Sequence, residues 1–506
     1  MPRIVAVAWA ASAVPELQQD PAMPNSSSFS RRTVVKGMGA LPLAAALGSS
    51  GSVRAQNRTQ VIVIGAGLSG LNAALLLEEQ GLDVQVLEGR QRVGGRVLSH
   101  RDVAGNPESG GTSFGAGYAR LMDACKKFNV GTIDVTPIVP FFNDRELVLD
   151  GKLIPKDQWA AHPRNPFPAA FKQSTPWSYL NPLIGKNNPL KNADSWLDPA
   201  NAKYDVSLHQ WLTSLGVSED VIELCWNTNP NYGTTAHDVS AMMVLFGATF
   251  AMMQAQLGGK TFGYTAVGGN QAIPEAMAKG LRKPVRFGSN VTGIRSTGSG
   301  AEVQCADGTV YKGDYVICSL PMAVLRRVHL DPLPTGAKGL AINTLASQPL
   351  SMLHLAIKKP FWEDDGRSPN IFSNGLAGMV VAERKGRTPQ DITSLTIWVR
   401  GRNATWMDTL EPKDAIAMIM DDFFRVRPAA KGKVEPRVYH SWYRDQFSAG
   451  DWAVWAPGQV TAFASEVGKP LGRVHFCGEH TAVSNRGMEG AMESGERAAF
   501  EVLGLV

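Results

Sequence analysis

Three glycines in Gly65-Ala66-Gly67-Leu68-Ser69-Gly70 have the spacing G-x-G-x-x-G, and Glu88 follows 18 residues after Gly70. These residue types hold a dinucleotide. Glycine lets bare backbone approach a pyrophosphate at the positive end of a helix, and a carboxylate accepts the ribose hydroxyl protons. The chemistry requires a strand, a turn and a helix in that order, and the chain supplies them. Val61 to Ile64 is an apolar run, the segment after Gly67 reads as helix to Gln80, Gly81 stops it, and Asp83 to Leu87 reads as a second strand. On this element alone NAD and FAD remain equivalent.

The next segment separates them. In Glu88-Gly89-Arg90-Gln91-Arg92-Val93-Gly94-Gly95-Arg96, the pair Gly94 and Gly95 permits close backbone approach, while Arg90 and the forked guanidinium of Arg96 suit phosphate oxygens. From here the chain resembles the flavin-dependent amine oxidase family. The resemblance continues through Glu108-Ser109-Gly110-Gly111-Thr112, Gly268-Gly269-Asn270-Gln271-Ala272-Ile273-Pro274, Val291-x-x-Ile294, Asp314 to Pro321 and Pro360-Phe361-Trp362. It ends with Phe476-Cys477-Gly478-Glu479-His480-Thr481 and Gly487-Met488-Glu489-Gly490-Ala491.

The resemblance implies non-covalent FAD. Gly65, Gly67, Ser69, Gly70 and Glu88 would hold the pyrophosphate and ribose, and the backbone of Val291 would meet the adenine. Gly110, Gly111 and Thr112 would line the flavin, with Gly478 and Glu479 near the ribityl-phosphate chain and Met488 capping the ring. The implied fold is α/β, a Rossmann-type, glutathione-reductase-like FAD-binding domain from residues 56–145, 268–345 and 436–506. An inserted α+β substrate domain would come from 146–267 and 346–435.

The implied reaction is removal of a hydride from the carbon beside a neutral amine to flavin N5, giving an imine that water hydrolyses. Trp452 matches one wall of the family's aromatic cage, and Gly487 stands where the second aromatic is usual, which leaves room for a bulkier substrate. Asp451 stands where some relatives bond a cysteine to the flavin. Members that act on amino acids carry an arginine just after the glycine pair, where this chain reads Gly111-Thr112-Ser113-Phe114, so an α-carboxylate is disfavoured unless Arg120 or Arg444 swings in.

Met352, ten residues before Trp362, replaces the family's usual lysine. Without that cation oxygen becomes a poor acceptor, and a cytochrome c-like carrier is the alternative to O2. His354 would share a face with Met352 on a strand, and reads as a core histidine rather than a substitute cation. The alternative reactions on this scaffold are L-amino acid oxidation and carbon–carbon desaturation.

The remaining sequence bounds these readings. The chain has 506 residues, 44% hydrophobic and 19% charged, and a net charge of only +5, so no electrostatic footprint for nucleic acid exists. Ser30-Arg31-Arg32-Thr33 before the apolar run Gly37 to Leu47 resembles a twin-arginine signal. Residues 1–55 are expected to be a leader cleaved after Ala55, with a periplasmic destination and Met23 as a rival start.

That run is about half the roughly 20 residues a membrane anchor needs. Ser240 to Gln256, apolar nearly all round, reads as a buried helix too short to cross. A Pro-rich stretch with Pro163, Pro166, Pro168, Pro176, Pro182, Pro189 and Pro199 reads as an irregular surface loop or a cap over a pocket. Five scattered cysteines, with no C-x-x-C, give no disulfide framework, and His475, Cys477 and His480 read as buried residues, so no metal is expected. A homodimer is compatible with the sequence but not specified by it.

Overall fold

The computed structural model describes residues 59–504; the expected leader, the Ala55 cleavage site and Met23 lie outside them. Val61 to Ile64 is buried on both faces, the condition under which a strand reads as a continuous apolar run. This strand, β1 (Thr59–Ile64), leads into α1 (Leu68–Glu79) and then β2 (Val84–Leu87). β1 lies parallel to β2 on one side and to a later strand on the other, with Val63 opposite both Val86 and Ile317. That later strand closes an antiparallel meander, β3 (Val291–Thr297), β4 (Gly300–Cys305) and β5 (Val310–Cys318). Val474–Phe476 also pairs with β5, in parallel. One seven-stranded sheet is thereby assembled from distant stretches of chain.

A second seven-stranded sheet places β6 (Leu350–Ile357) between β7 (Ser394–Arg400) and β8 (Val434–Ser441). Alternation gives its two faces different work. Leu353, Leu355, Leu395, Ile397 and Val399 are fully buried in one apolar cluster with Ile419 and Phe423 of the helix Pro412–Val426. The opposite face carries Met352, His354, Thr396, Trp398, Arg400 and His440. Met352 lies in register between Trp398 and His440, so this face supports the site.

Strand pairing crosses two of the expected domain limits. Residues 436–441, assigned by sequence to the FAD-binding part, belong to β8 in the second sheet. Gly263–Ala266, assigned to the inserted part, pairs with Phe114–Gly115 and Thr132–Asp134 from the first. Backbone register set both outcomes, and sequence does not display register.

The apolar segment forms α2 (Ala241–Gly258), capped by Ser240, whose hydroxyl accepts from the Met242 amide. Its first turns are buried, but Met252 and Leu257 near its end are exposed. With 18 residues it is long and apolar enough to cross a membrane, and half of it is buried inside the protein, so shortness does not exclude a span.

The Pro-rich stretch is largely irregular, with most of its residues exposed or half-buried, and Pro163, Arg164 and Pro166 line a separate pocket with Asp220, Glu223 and Arg402. Within it Phe167 and Trp196 are buried, as is Trp159 just before it, and Trp196 stacks on Phe246 of α2 at 4.8 Å. None of its residues lines the cleft or the adjoining cavity described below. All five cysteines are free, four of them buried.

Candidate active site

A cleft runs from the β1–α1 turn to the inner face of the second sheet. At its first end, a Cβ on Gly70 would lie 2.1 Å from the Gly65 carbonyl, a contact that only glycine avoids. Gly67 faces open space, and as N-cap of α1 it provides no side chain to the first helical amides. Those amides can bind an anion. Glu88 is buried at the end of β2, and its carboxylate accepts from the Ala66 and Arg90 amides, both at 2.9 Å. Each oxygen keeps a lone pair for a further donor. Gly65, Ser69 and Val291 also line this end.

The middle of the cleft is walled by Arg90, Gly94, Gly95 and Arg96. Gly94 donates its amide to the Ala66 carbonyl, which ties this turn to the first. Arg90 is already engaged by Asp445 and Ser448, both at 2.7 Å. Arg96 donates to the Asp451 carbonyl at 2.7 Å and lies 3.6 Å from Glu479. Gly110, Gly111 and Thr112 form the facing loop, and a Cβ on Gly110 would strike the Arg96 carbonyl.

Two motif residues clamp that loop. Glu108 accepts from the Ser99 hydroxyl at 2.6 Å and the Asn270 amide at 2.7 Å, and the Asn270 side chain donates to the Gly111 carbonyl. Trp442, which the sequence did not single out, donates to the Ser109 carbonyl at 2.6 Å. Gly478, Glu479 and Met488 complete the wall. Met488 begins the buried side of α3 (Gly487–Leu503), whose N-terminus opens on the cleft. Of the expected cofactor residues only Gly70 is off the surface, because it packs behind the turn.

These features fit a dinucleotide cofactor. Glycines stand where a side chain would collide with backbone, open space lies before Gly67, and a buried carboxylate sits between two turns. No cysteine lines the cleft.

The far end is aromatic. Trp452 and Trp398 both line it, and Trp398 was not foreseen because only strand register places it there. Gly487, at a φ of +56°, has nothing within 4 Å of where a Cβ would stand. A cavity of about 450 Å³ adjoins the cleft through Ser113, Tyr118, Trp452, Glu479 and Gly487, with Tyr232 and the end of α2 along its wall. Arg120 is tied to Glu489 and Glu496, and Arg444 donates to the Leu410 carbonyl, so neither is placed to serve this cavity.

Met352 does not reach the cleft surface. It is fully buried among Leu350 and Trp442, with Trp398 and Trp452 packed against the cluster. His354 lies on the same face and is also fully buried, with its ring nitrogens 2.9 Å from Ser109 Oγ and 3.0 Å from Thr396 Oγ1. Burial, and then His100 and His440, push its pKa down to about 3. It is neutral and does not replace the missing cation.

Burial holds the Asp451 carboxyl up at about 7, with Arg96 opposing and Glu479 adding to the rise. Burial likewise holds Glu108 at about 7, against the hydrogen bond from Ser99. Between the ordinary carboxyl range and pH 7, the folded protein therefore keeps protons that the unfolded chain releases, and stability falls as pH rises through that window. The buried histidines His354, His440 and His480, held below their ordinary range, contribute in the opposite sense, so the test is the change on substitution: Asp451→Asn should raise Tm at pH 8 relative to pH 5, compared with the unsubstituted protein. An unchanged difference would assign it to other groups.

Comparison with known proteins decides the family. Residues 68–503 match the model of the flavin containing amine oxidoreductases, most of the chain. The chain belongs to that family. This flavin-containing amine oxidoreductase is thus an enzyme that oxidises amines with FAD. A flavin-containing amine oxidase of Oncorhynchus mykiss is 27% identical over 482 residues, which cover 89% of this chain and 86% of that one. The flavin-containing amine oxidase B of Cavia porcellus is also 27% identical, over 89% and 87%. Among solved structures, a putrescine oxidase bound to putrescine matches with a TM-score of 0.71 and 23% identity, over 88% of this chain and 99% of that one. The cyclohexylamine oxidase of Brevibacterium oxydans gives 0.69 and 20%, over 88% and 98%. These two structures match in fold, a mixed α/β fold with FAD-binding and substrate domains.

Proposed function

We propose that this amine oxidoreductase acts on a primary or secondary amine lacking an α-carboxylate, with non-covalent FAD and a carrier rather than oxygen as its efficient electron acceptor. The observation that carries the reading is the continuity of one cleft, from the Gly65–Gly70 turn and Glu88 to an aromatic wall facing Gly487. The first sheet serves as a glutathione-reductase-like domain, into which the second sheet is inserted. Bound in the cleft, FAD supplies the acceptor for the hydride that leaves the carbon beside the amine nitrogen.

The chain's own residues orient and dry the substrate. Trp452 is fixed by its indole N–H, which donates to the Asn231 carbonyl at 3.1 Å, and by the edge of Tyr232 at 5.8 Å. Its face, with that of Trp398, holds the amine and excludes water, and Gly487 leaves width for a branched substrate. Glu479 is held by Arg96 and by the Ala453 amide, and burial raises the Tyr118 hydroxyl far above its ordinary pKa. Neither is a ready base, so the amine reacts as the neutral free base. The α3 N-terminus places partial positive charge beside the loop of Gly110 to Thr112.

The imine product takes up water and gives a carbonyl compound plus ammonia or a smaller amine. Product analysis tests this: release of both should follow amine consumption, whereas an unsaturated product with nitrogen retained would favour carbon–carbon desaturation. Acid precipitation of the holoenzyme should leave yellow cofactor in the supernatant, and colour in the pellet would refute non-covalent binding. Twin-arginine export to the periplasm follows from the Ser30–Arg32 segment and suits a protein that must bind FAD before translocation. A mature chain in the periplasm beginning at Gln56 is expected, and an uncleaved cytoplasmic chain would contradict it.

A further inference from the structure

Arg486, immediately before Gly487, is nine-tenths buried and lines the cavity that adjoins Trp452. Its Nη1 donates to Tyr232 Oη at 3.1 Å, and the guanidinium lies over the rings of Tyr232, at 4.6 Å, and Phe246, at 5.6 Å. All these partners are neutral. Among the described residues it has no carboxylate within ion-pair distance. A buried guanidinium is costly unless paired, and elsewhere this chain pairs it: Arg427 takes Asp365 through two contacts of 2.9 Å. Among the described residues Arg145 and Arg400 also have no carboxylate within ion-pair distance, but neither lines this cavity. Position therefore distinguishes Arg486.

We propose that the cavity selects amines bearing a carboxylate remote from the reacting nitrogen, and that Arg486 receives that carboxylate; this rests on the amine-oxidising reading above. The charges around the cavity agree. Lys260 adds a second cation at the wall, and the only carboxylate lining it among the described residues, Glu479, is occupied by Arg96 and the Ala453 amide. A second ammonium, as at the far end of a diamine, finds no counter-charge here.

Tyr232 contacts both groups, its ring 5.8 Å from Trp452 and 4.6 Å from the Arg486 guanidinium. Both Trp452 and Arg486 line the one cavity, so Arg486 is within reach of a substrate held on Trp452, and the proposal puts the carboxylate several carbons from the amine and not on the α-carbon. The Arg486 fork suits a carboxylate, and its stacking on Tyr232 fixes the plane in advance.

The test uses FAD-loaded enzyme and anaerobic stopped-flow. The substrates are the straight-chain ω-amino carboxylates from 3-aminopropanoate to 6-aminohexanoate, alkylamines of matching length, and putrescine. The best amino carboxylate should exceed its matched alkylamine in kcat/KM by about 30-fold or more, and putrescine by more still. Arg486→Met should lower that ratio about 100-fold, chiefly through KM, and Arg486→Lys should recover part of it.

A second readout is binding of hexanoate alone, followed by tryptophan fluorescence, which should weaken at least about tenfold in Arg486→Met. If that variant fails to retain FAD, the wild-type ratio and hexanoate titration decide. Alkylamines or putrescine matching the amino carboxylates in the wild type, or a ratio unmoved by Arg486→Met, would overturn the inference while leaving amine oxidation intact. Flavin left oxidised by every amine would instead defeat the amine-oxidising reading.

Discussion

Gly70→Ala is expected to strip FAD from the protein. The added Cβ would stand 2.1 Å from the Gly65 carbonyl and 3.2 Å from Val63 Cγ1, and the nearer atom is backbone of the turn that must meet the cofactor. Nothing flexible is present to move aside. Relief requires α1 to retreat from β1, which withdraws its amides from the anion they would bind. We expect FAD affinity to fall by about 100-fold or more, equivalent to about 3 kcal/mol. Flavin content of purified protein should drop to a small fraction of one per chain. Gly185→Ala, in the helix Leu180–Lys186 with nothing within 4 Å of the new methyl, is the control and should keep its flavin. Full flavin content in Gly70→Ala would contradict the placement of the cofactor.

Met352→Lys should accelerate the reaction of the reduced enzyme with oxygen by about 100-fold. The charge that develops on oxygen is negative, and a cation at about 4 Å in an effective dielectric near 20 contributes about 4 kcal/mol. Burial lowers the pKa of the introduced lysine and takes back part of that gain. His354 is no substitute, because it is neutral, and Met352 is enclosed by Leu350, Trp442, Trp398 and Trp452. The same burial should destabilise the variant by about 2 to 4 kcal/mol in denaturant unfolding, because an ammonium replaces a thioether in an apolar cluster. Stopped-flow mixing with oxygenated buffer measures the rate, with Met352→Gln as the uncharged control. Millisecond reoxidation of the unsubstituted enzyme would show that the missing lysine is immaterial.

The parts of the site legible in the sequence were those fixed by local backbone chemistry. Gly65 to Gly70 and Glu88 declare their turn, helix and strand within thirty residues, and the apolar runs around them have one reading. What the sequence concealed depends on pairing between distant strands. Trp398 enters the cleft only because β7 lies beside β6, and residues 436–441 join the second sheet only through the pairing of β8 with β6.

Arg486 was hidden for a similar reason. Its significance arises from Tyr232, 254 residues earlier, and from having no carboxylate within ion-pair distance among the described residues. The prolines announce the largely irregular backbone of 163–199 but not its anchoring, which comes from buried Phe167 and Trp196. His354 was read as a core residue, and its two hydroxyl partners agree.

The most direct measurement is an anaerobic titration of purified, FAD-loaded protein with amines, followed by absorbance of the oxidised flavin near 450 nm. The account predicts stoichiometric bleaching by at least one amine class, with carbonyl product formed in equal amount. Flavin that stays yellow through a broad amine panel, in protein shown to be folded and fully loaded, would contradict it.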